Sequence, residues 1–133
     1  FKTKDGDIIL AIGNDSQFEK FAKLIGKDKW SDDKRFKTNE ARVNNREILV
    51  PFIADIMDEK TTDEWMLLLE QYQIPCGPIN SIDKVLSNPQ VIHRKMVRHI
   101  NDKDGTVIPV IANPINYSKT PIEYRKAPPK LKP

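Results

Sequence analysis

The chain has 133 residues, 38% hydrophobic and 31% charged, with ten prolines, five glycines and one cysteine. That supports one domain with a core. It also excludes a disulfide framework, and no apolar run approaches the roughly 20 residues of a membrane span. The net charge of +3 does not describe a nucleic-acid surface: residues 119–133 hold five Lys/Arg against the single acid Glu123, and the other 118 hold seventeen basic and eighteen acidic groups. The body is neutral, the excess sits in a Pro-rich tail, and no basic face interleaved with aromatics is present.

In chain order, Asp5-Gly6 signals a turn and Ile8 to Ile12 is the unbroken apolar run of a buried strand. A helix follows, capped by Asn14, Asp15 or Ser16, with Phe18, Phe21, Ala22 and Ile25 on one face and Gly26 at its stop. A polar turn over Trp30 to Arg35 leads to a longer helix from about Thr38 to Glu59, with a core stripe of Leu49, Phe52, Ile53 and Ile56. Pro51 lies inside that stripe and lacks a backbone donor, so a kink or break is expected there.

Thr61 with Glu64 three residues on forms a capping box ahead of Trp65, Leu68, Leu69 and Tyr72, and Ile74-Pro75 ends that helix. Ser81 caps a short helix through Leu86, and Asn88-Pro89 opens another with proline at its first position. Val97 to Asn101 and Thr106 to Ile111 flank "DKDG" as a hairpin, residues 113–118 can add a strand, and from Thr120 the prolines favour an extended arm. The expected class is α+β, several helices packed on a small antiparallel sheet.

No complete catalytic constellation is visible. Cys76, in "IPCGPIN", has two prolines and a glycine around it, and a nucleophilic role requires a partner that lowers its pKa. Between a reactive thiol and a small architectural residue, the tightly fixed backbone favours architecture. His93 and His99 fall on different elements, and there is no Cys-x-x-Cys, His-Glu-x-x-His, Gly-x-Ser-x-Gly or phosphate-cradling glycine loop. No metal site is expected. Asp15 stands out among the acids, because it follows a buried strand; its alternative role is helix capping.

The blocks "FKTKDGDIILAIGNDSQFEKFAKLIG", "RFKTNEARVNNREIL", "TTDEWMLLLEQYQIPCGPINSIDKVLSNPQV" and "INYSKTPIEYRKAPP", in that order, resemble the family III (CaiB/BaiF) CoA-transferases across essentially the whole chain. The resemblance implies the small domain of such an enzyme over 1–118, and a basic linker over 119–133 returning to a Rossmann-like large domain. The catalytic aspartate and glycine-rich loop of the family precede this region, so the resemblance places no catalytic residue in this chain. A chain opening at Phe1 fits that expectation of an excised piece. Coenzyme A enters as a thioester substrate, with no other cofactor. The implied partners are acyl-CoA and carboxylate substrates, the missing large domain and a second interlocked subunit. The cytoplasm is the expected compartment, with no nucleic acid and no membrane. By analogy with the related α-methylacyl-CoA racemases, Gly13, Asn14, Asp15 and Gln17 fall at the edge of the active-site cleft. Three alternatives stand beside the transferase: a fragment of such a racemase, a non-catalytic module binding through the basic tail, and a small cysteine-dependent enzyme.

Overall fold

The computed structural model describes residues 1–130, so Leu131, Lys132 and Pro133 of the basic tail lie outside the described residues. The chain divides into two compact units, residues 1–79 and the stretch from Asn80 onward. The domain expected over 1–118 therefore includes all of the first unit and most of the second.

In the first unit, β1 (Ile8–Leu10) pairs antiparallel with β2 (Cys76–Pro78), Leu10 opposite Cys76 and Ile8 opposite Pro78. Four helices accompany this ladder: α1 (Asp15–Leu24), α2 (Asn39–Asn44), α3 (Arg46–Met57) and α4 (Thr62–Gln71), with a 3-10 turn at Asp28–Ser31. Each boundary has a local cause. Asn14 caps α1 by accepting from the Gln17 N–H. Gly26 then takes φ +68°, and Lys27 N–H donates to the Ala22 carbonyl, closing the helix with the left-handed turn that glycine adopts without strain. The expected capping box at Thr61 and Glu64 forms on both sides and opens α4.

The long helix expected from Thr38 to Glu59 is two helices, and the break falls at Asn45 rather than at Pro51. Asn45 Nδ2 donates to the Ala41 carbonyl at 2.9 Å and so terminates α2, while its own carbonyl starts α3 by accepting from Ile48 and Leu49. Pro51 sits within α3, which continues through it. The break re-phases the stripe: Leu49, Ile53 and Met57 are buried, whereas Phe52 is 46% exposed. These residues join Ile8, Phe18, Phe21, Phe36, Trp65, Leu69 and Ile74 in one hydrophobic core. Trp65, deep in that core, donates its indole N–H to the Met57 carbonyl at 2.8 Å. This bond joins α4 to the end of α3.

In the second unit, α5 (Ile82–Ser87) and α6 (Pro89–His93) precede a hairpin of β3 (Val97–Asn101) and β4 (Val107–Ile111), with Val97 opposite Ile111 and Asn101 opposite Val107. Asn88 caps α6 with proline next to it, as expected. The possible strand over 113–118 does not form, and residues 113–130 carry no helix or strand. The arm is nevertheless tied down: Tyr124 Oη accepts from the Asn113 N–H at 2.7 Å, and Lys130 Nζ lies 2.6 Å from Asp104 and 3.1 Å from Asp102. The hydrogen bond from Lys130, with that from Thr106, brings the Asp104 carboxyl down to about 2. The class is therefore α+β as expected, with the antiparallel pairing carried by two separate two-stranded ladders.

Candidate functional site

The four residues expected at a cleft edge form one hydrogen-bonded turn between β1 and α1. Gly13 N–H donates to Gln17 Oε1 at 2.8 Å, and Gln17 N–H donates to Asn14 Oδ1 at 2.9 Å. The two bonds run in opposite directions across the turn and fix it. Asp15, the first residue of α1, pairs through Oδ1 with Arg42 Nη2 at 2.8 Å.

Arg42 is the feature that sequence reading missed. It is 93% buried, since only 7% of its surface stays accessible. Its Nη1 donates to the Phe36 carbonyl at 2.9 Å and reaches the Lys37 carbonyl at 3.4 Å, and its guanidinium carbon stands 4.5 Å from the centre of the Phe18 ring. A buried charge is stable only when hydrogen-bonded or paired, and all three kinds of contact are in place here. The stretch "NEARVN" around it is mostly polar, with no apolar stripe that would mark Arg42 as buried.

Two cavities flank this assembly. One, of about 270 Å³, has a wall of Leu10, Ile12, Phe18, Leu49 and Ile53, with Asn39, Arg42 and Arg46 also lining it. The other, of about 470 Å³, lies on the side of Asp15 and Ser16 and mixes Glu19, Asp28 and Asp32 with Lys23 and Lys37. Ser31 Oγ, which lines the second cavity, is buried without a hydrogen-bond partner among the described residues.

The thiol of Cys76 is not activated by its surroundings. Cys76 lies in β2, and burial, with the Glu70 carboxylate nearby, pushes its thiol up from the ordinary value. That is the opposite of what a nucleophilic cysteine needs. Alkylation of native Cys76 at pH 8 should therefore run slower than that of a free cysteine, with the urea-unfolded chain restoring the full rate; faster alkylation of the native chain would restore the thiol as a candidate. Among the described residues no cluster of His, Cys, Asp and Glu could hold a metal ion, and no helix is long and apolar enough to cross a membrane.

Comparison with known proteins fits this picture. The sequence model of CoA-transferase family III matches residues 1–132. The chain belongs to CoA-transferase family III. Human succinyl-CoA:glutarate CoA-transferase is 34% identical over 131 residues, covering 98% of this chain and 30% of its own length. The succinate–glutarate CoA-transferase of Agrobacterium fabrum is 37% identical over 129 residues, covering 97% of this chain and 32% of its own. The crystal structure of a CaiB/BaiF family protein from Brucella suis superposes with a TM-score of 0.82 at 34% identity, over 98% of this chain and 33% of that one. This family III chain thus spans about a third of the length of the relatives it matches.

Proposed function

We propose that this chain is the small-domain region of an acyl-CoA:carboxylate CoA-transferase. In this reading residues 1–118 form the small domain and 119–133 return to a large domain. That large domain supplies the aspartate that takes up the acyl group, and two subunits interlock so that their domains share the active site. The observation carrying the proposal is the coverage: a family match from residue 1 to residue 132, against relatives about three times as long. The human and Agrobacterium relatives are named as transferases acting on succinyl-CoA or succinate and on glutarate, and this chain is assigned the same class of carboxylate and acyl-CoA substrates.

The site supports this division of labour. The turn of Gly13, Asn14, Asp15 and Gln17 is rigid, lies at the surface beside two cavities, and offers backbone and amide groups rather than a nucleophile. It suits the edge of a cleft whose reacting groups come from elsewhere. Asp15, on which the racemase alternative rests, is committed to Arg42. In this reading the protein works in the cytoplasm and needs no metal or further cofactor.

The test is acyl exchange between succinyl-CoA and glutarate, read by mass spectrometry of the thioesters. The 133-residue chain alone is expected to give no new thioester, whereas the same chain within its full-length protein is expected to exchange. Exchange by the chain alone, or none by the full-length protein across a panel of carboxylates, would overturn the reading.

A further inference from the structure

We infer that the outer edge of β3 is a docking edge for an extended acidic segment of a partner protein, which adds to the β3–β4 hairpin as a third strand. The edge lies wholly within the second unit and is independent of the transferase reading.

The backbone register identifies the edge. Ala112 N–H donates to the Met96 carbonyl at 2.7 Å and Asp102 N–H to the Thr106 carbonyl at 2.8 Å, and these two pairs bracket the ladder. Hydrogen-bonded and non-hydrogen-bonded pairs alternate along an antiparallel ladder, so Arg98 and Ile100 bond toward β4. Val97, His99 and Asn101 turn their N–H and C=O groups outward, and no backbone group among the described residues bonds to them there. On the far side of the hairpin the outward positions of β4 are Val107, Pro109 and Ile111, opposite those three residues. Proline has no N–H, so that edge lacks a donor at its centre and resists strand addition. Strand β3 has no proline. One edge of the hairpin is blunted and the other is open.

The surroundings of the open edge give the chemistry of its occupant. A cavity of about 420 Å³ is lined by Leu86 of α5, Ile92 of α6, Lys95, and Val97, Arg98 and His99 of β3. Successive strand residues point to opposite faces, so a cavity that touches all three β3 residues runs along the edge rather than over one face. Its apolar part is Leu86, Ile92 and Val97, and Ile92 is 61% exposed. Its charged part is Lys95 and Arg98, neither of which forms an ion pair among the described residues. No carboxylate lines it, and the sequence has none between Asp83 and Asp102, where Lys84, Arg94, Lys95 and Arg98 fall. Lys95 also takes φ +53° in the turn that closes α6. Glycine adopts that turn without strain, whereas lysine bears a backbone cost and brings a charge to the edge.

Cations on an edge repel their own kind, and that selects among occupants. A second copy pairing through this edge would set like charges against each other, which is unfavourable. A membrane surface offers phosphates but no backbone donors and acceptors for the open ladder. An extended segment with carboxylates offers both the ladder bonds and the opposite charge.

The test titrates the ¹⁵N-labelled chain with a capped peptide of sequence TVEVEVT. The controls are TVKVKVT, which reverses the charge, TVEPEVT, which removes a backbone donor, and phosphatidylserine vesicles. Saturable shifts at the amides of Val97, His99 and Asn101, with slowed hydrogen exchange there, are expected with TVEVEVT and not with TVKVKVT or the vesicles. TVEPEVT should bind about tenfold more weakly, as loss of a ladder bond and of strand geometry implies. Arg98→Glu should weaken TVEVEVT by about tenfold or more and admit TVKVKVT; Arg98 is exposed, so the hairpin is retained. Lys95→Gly should weaken binding while raising the unfolding midpoint, because it removes the charge and the backbone cost together. Equal binding of TVKVKVT or TVEPEVT, shifts confined to β4, or no response to TVEVEVT would each overturn the docking edge. Slowed exchange that grows with protein concentration alone would replace the acidic segment with a second copy. A response to vesicles without one to the peptide would replace it with a membrane.

Discussion

Trp65→Ala is expected to destabilise the protein by about 3–5 kcal/mol, the range for removing a buried aromatic side chain. Trp65 is 2% exposed and packs in the same core as Leu69 and Ile74, close to it in sequence, and Phe18 and Phe21 from α1. Its loss therefore opens a cavity that several elements must close together. A domain of this size is stable by only about 5–15 kcal/mol, so the change removes a large part of the total. The indole N–H to the Met57 carbonyl adds a further share, since losing the donor leaves a buried acceptor unsatisfied at about 1–3 kcal/mol. Trp65→Phe separates the two contributions, because it keeps most of the ring and removes the donor. Urea unfolding followed through Trp30, which lies in the same unit, should show a much larger midpoint shift for alanine than for phenylalanine. Equal shifts would mean that the hydrogen bond, not the packing, holds α3 and α4 together.

Trp65 also shows what was legible in the sequence. Its helix starts with a capping box written in four consecutive letters, and its inward face follows from i, i+4 spacing, so both could be read locally. The same is true of Gly26 and of Asn88-Pro89, where a single residue type sets a backbone conformation. What failed to be legible depended on tertiary partners. Proline at 51 looked like the stronger breaker, but the actual break at Asn45 comes from a side-chain amide that reaches the Ala41 carbonyl. Strand β2 was invisible because "CGP" has neither alternation nor β-branched residues; it becomes a strand only because β1 offers a partner edge. "IPCGPIN" is therefore architecture, as its composition suggested, but as the second strand of a ladder. The site was legible in the same uneven way. The turn over Gly13 to Gln17 could be placed from the strand-to-helix switch, whereas Arg42 approaches it from 27 residues further along the chain. No local pattern predicts that meeting.

Arg42→Ala is the second change with a large expected effect, about 2–3 kcal/mol, and its origin can be separated by a neighbouring variant. Three kinds of contact are lost together. The Asp15 carboxylate loses its partner, but it is 56% exposed and can be rehydrated, so that loss resembles a surface pair at about 0–1 kcal/mol. The Phe36 carbonyl, in a buried hydrogen bond, loses its donor, and an unsatisfied buried acceptor costs about 1–3 kcal/mol. The guanidinium also leaves the Phe18 ring, worth about 0.5–2 kcal/mol. The carbonyls, not the carboxylate, are thus expected to dominate. Asp15→Asn, which keeps the shape and removes the charge, should cost less than about 1 kcal/mol. Arg42→Lys should fall between, because an ammonium cannot serve the carbonyls and the carboxylate in one plane. Denaturation midpoints for the three variants give the order directly. If Asp15→Asn proved as costly as Arg42→Ala, the ion pair would be what holds the turn, and the stability of this corner should then fall steeply with salt. If instead the expected order holds, Arg42 stays fixed when Asp15 is neutralised, and its orientation toward the cavity is set by the backbone of residues 36 and 37.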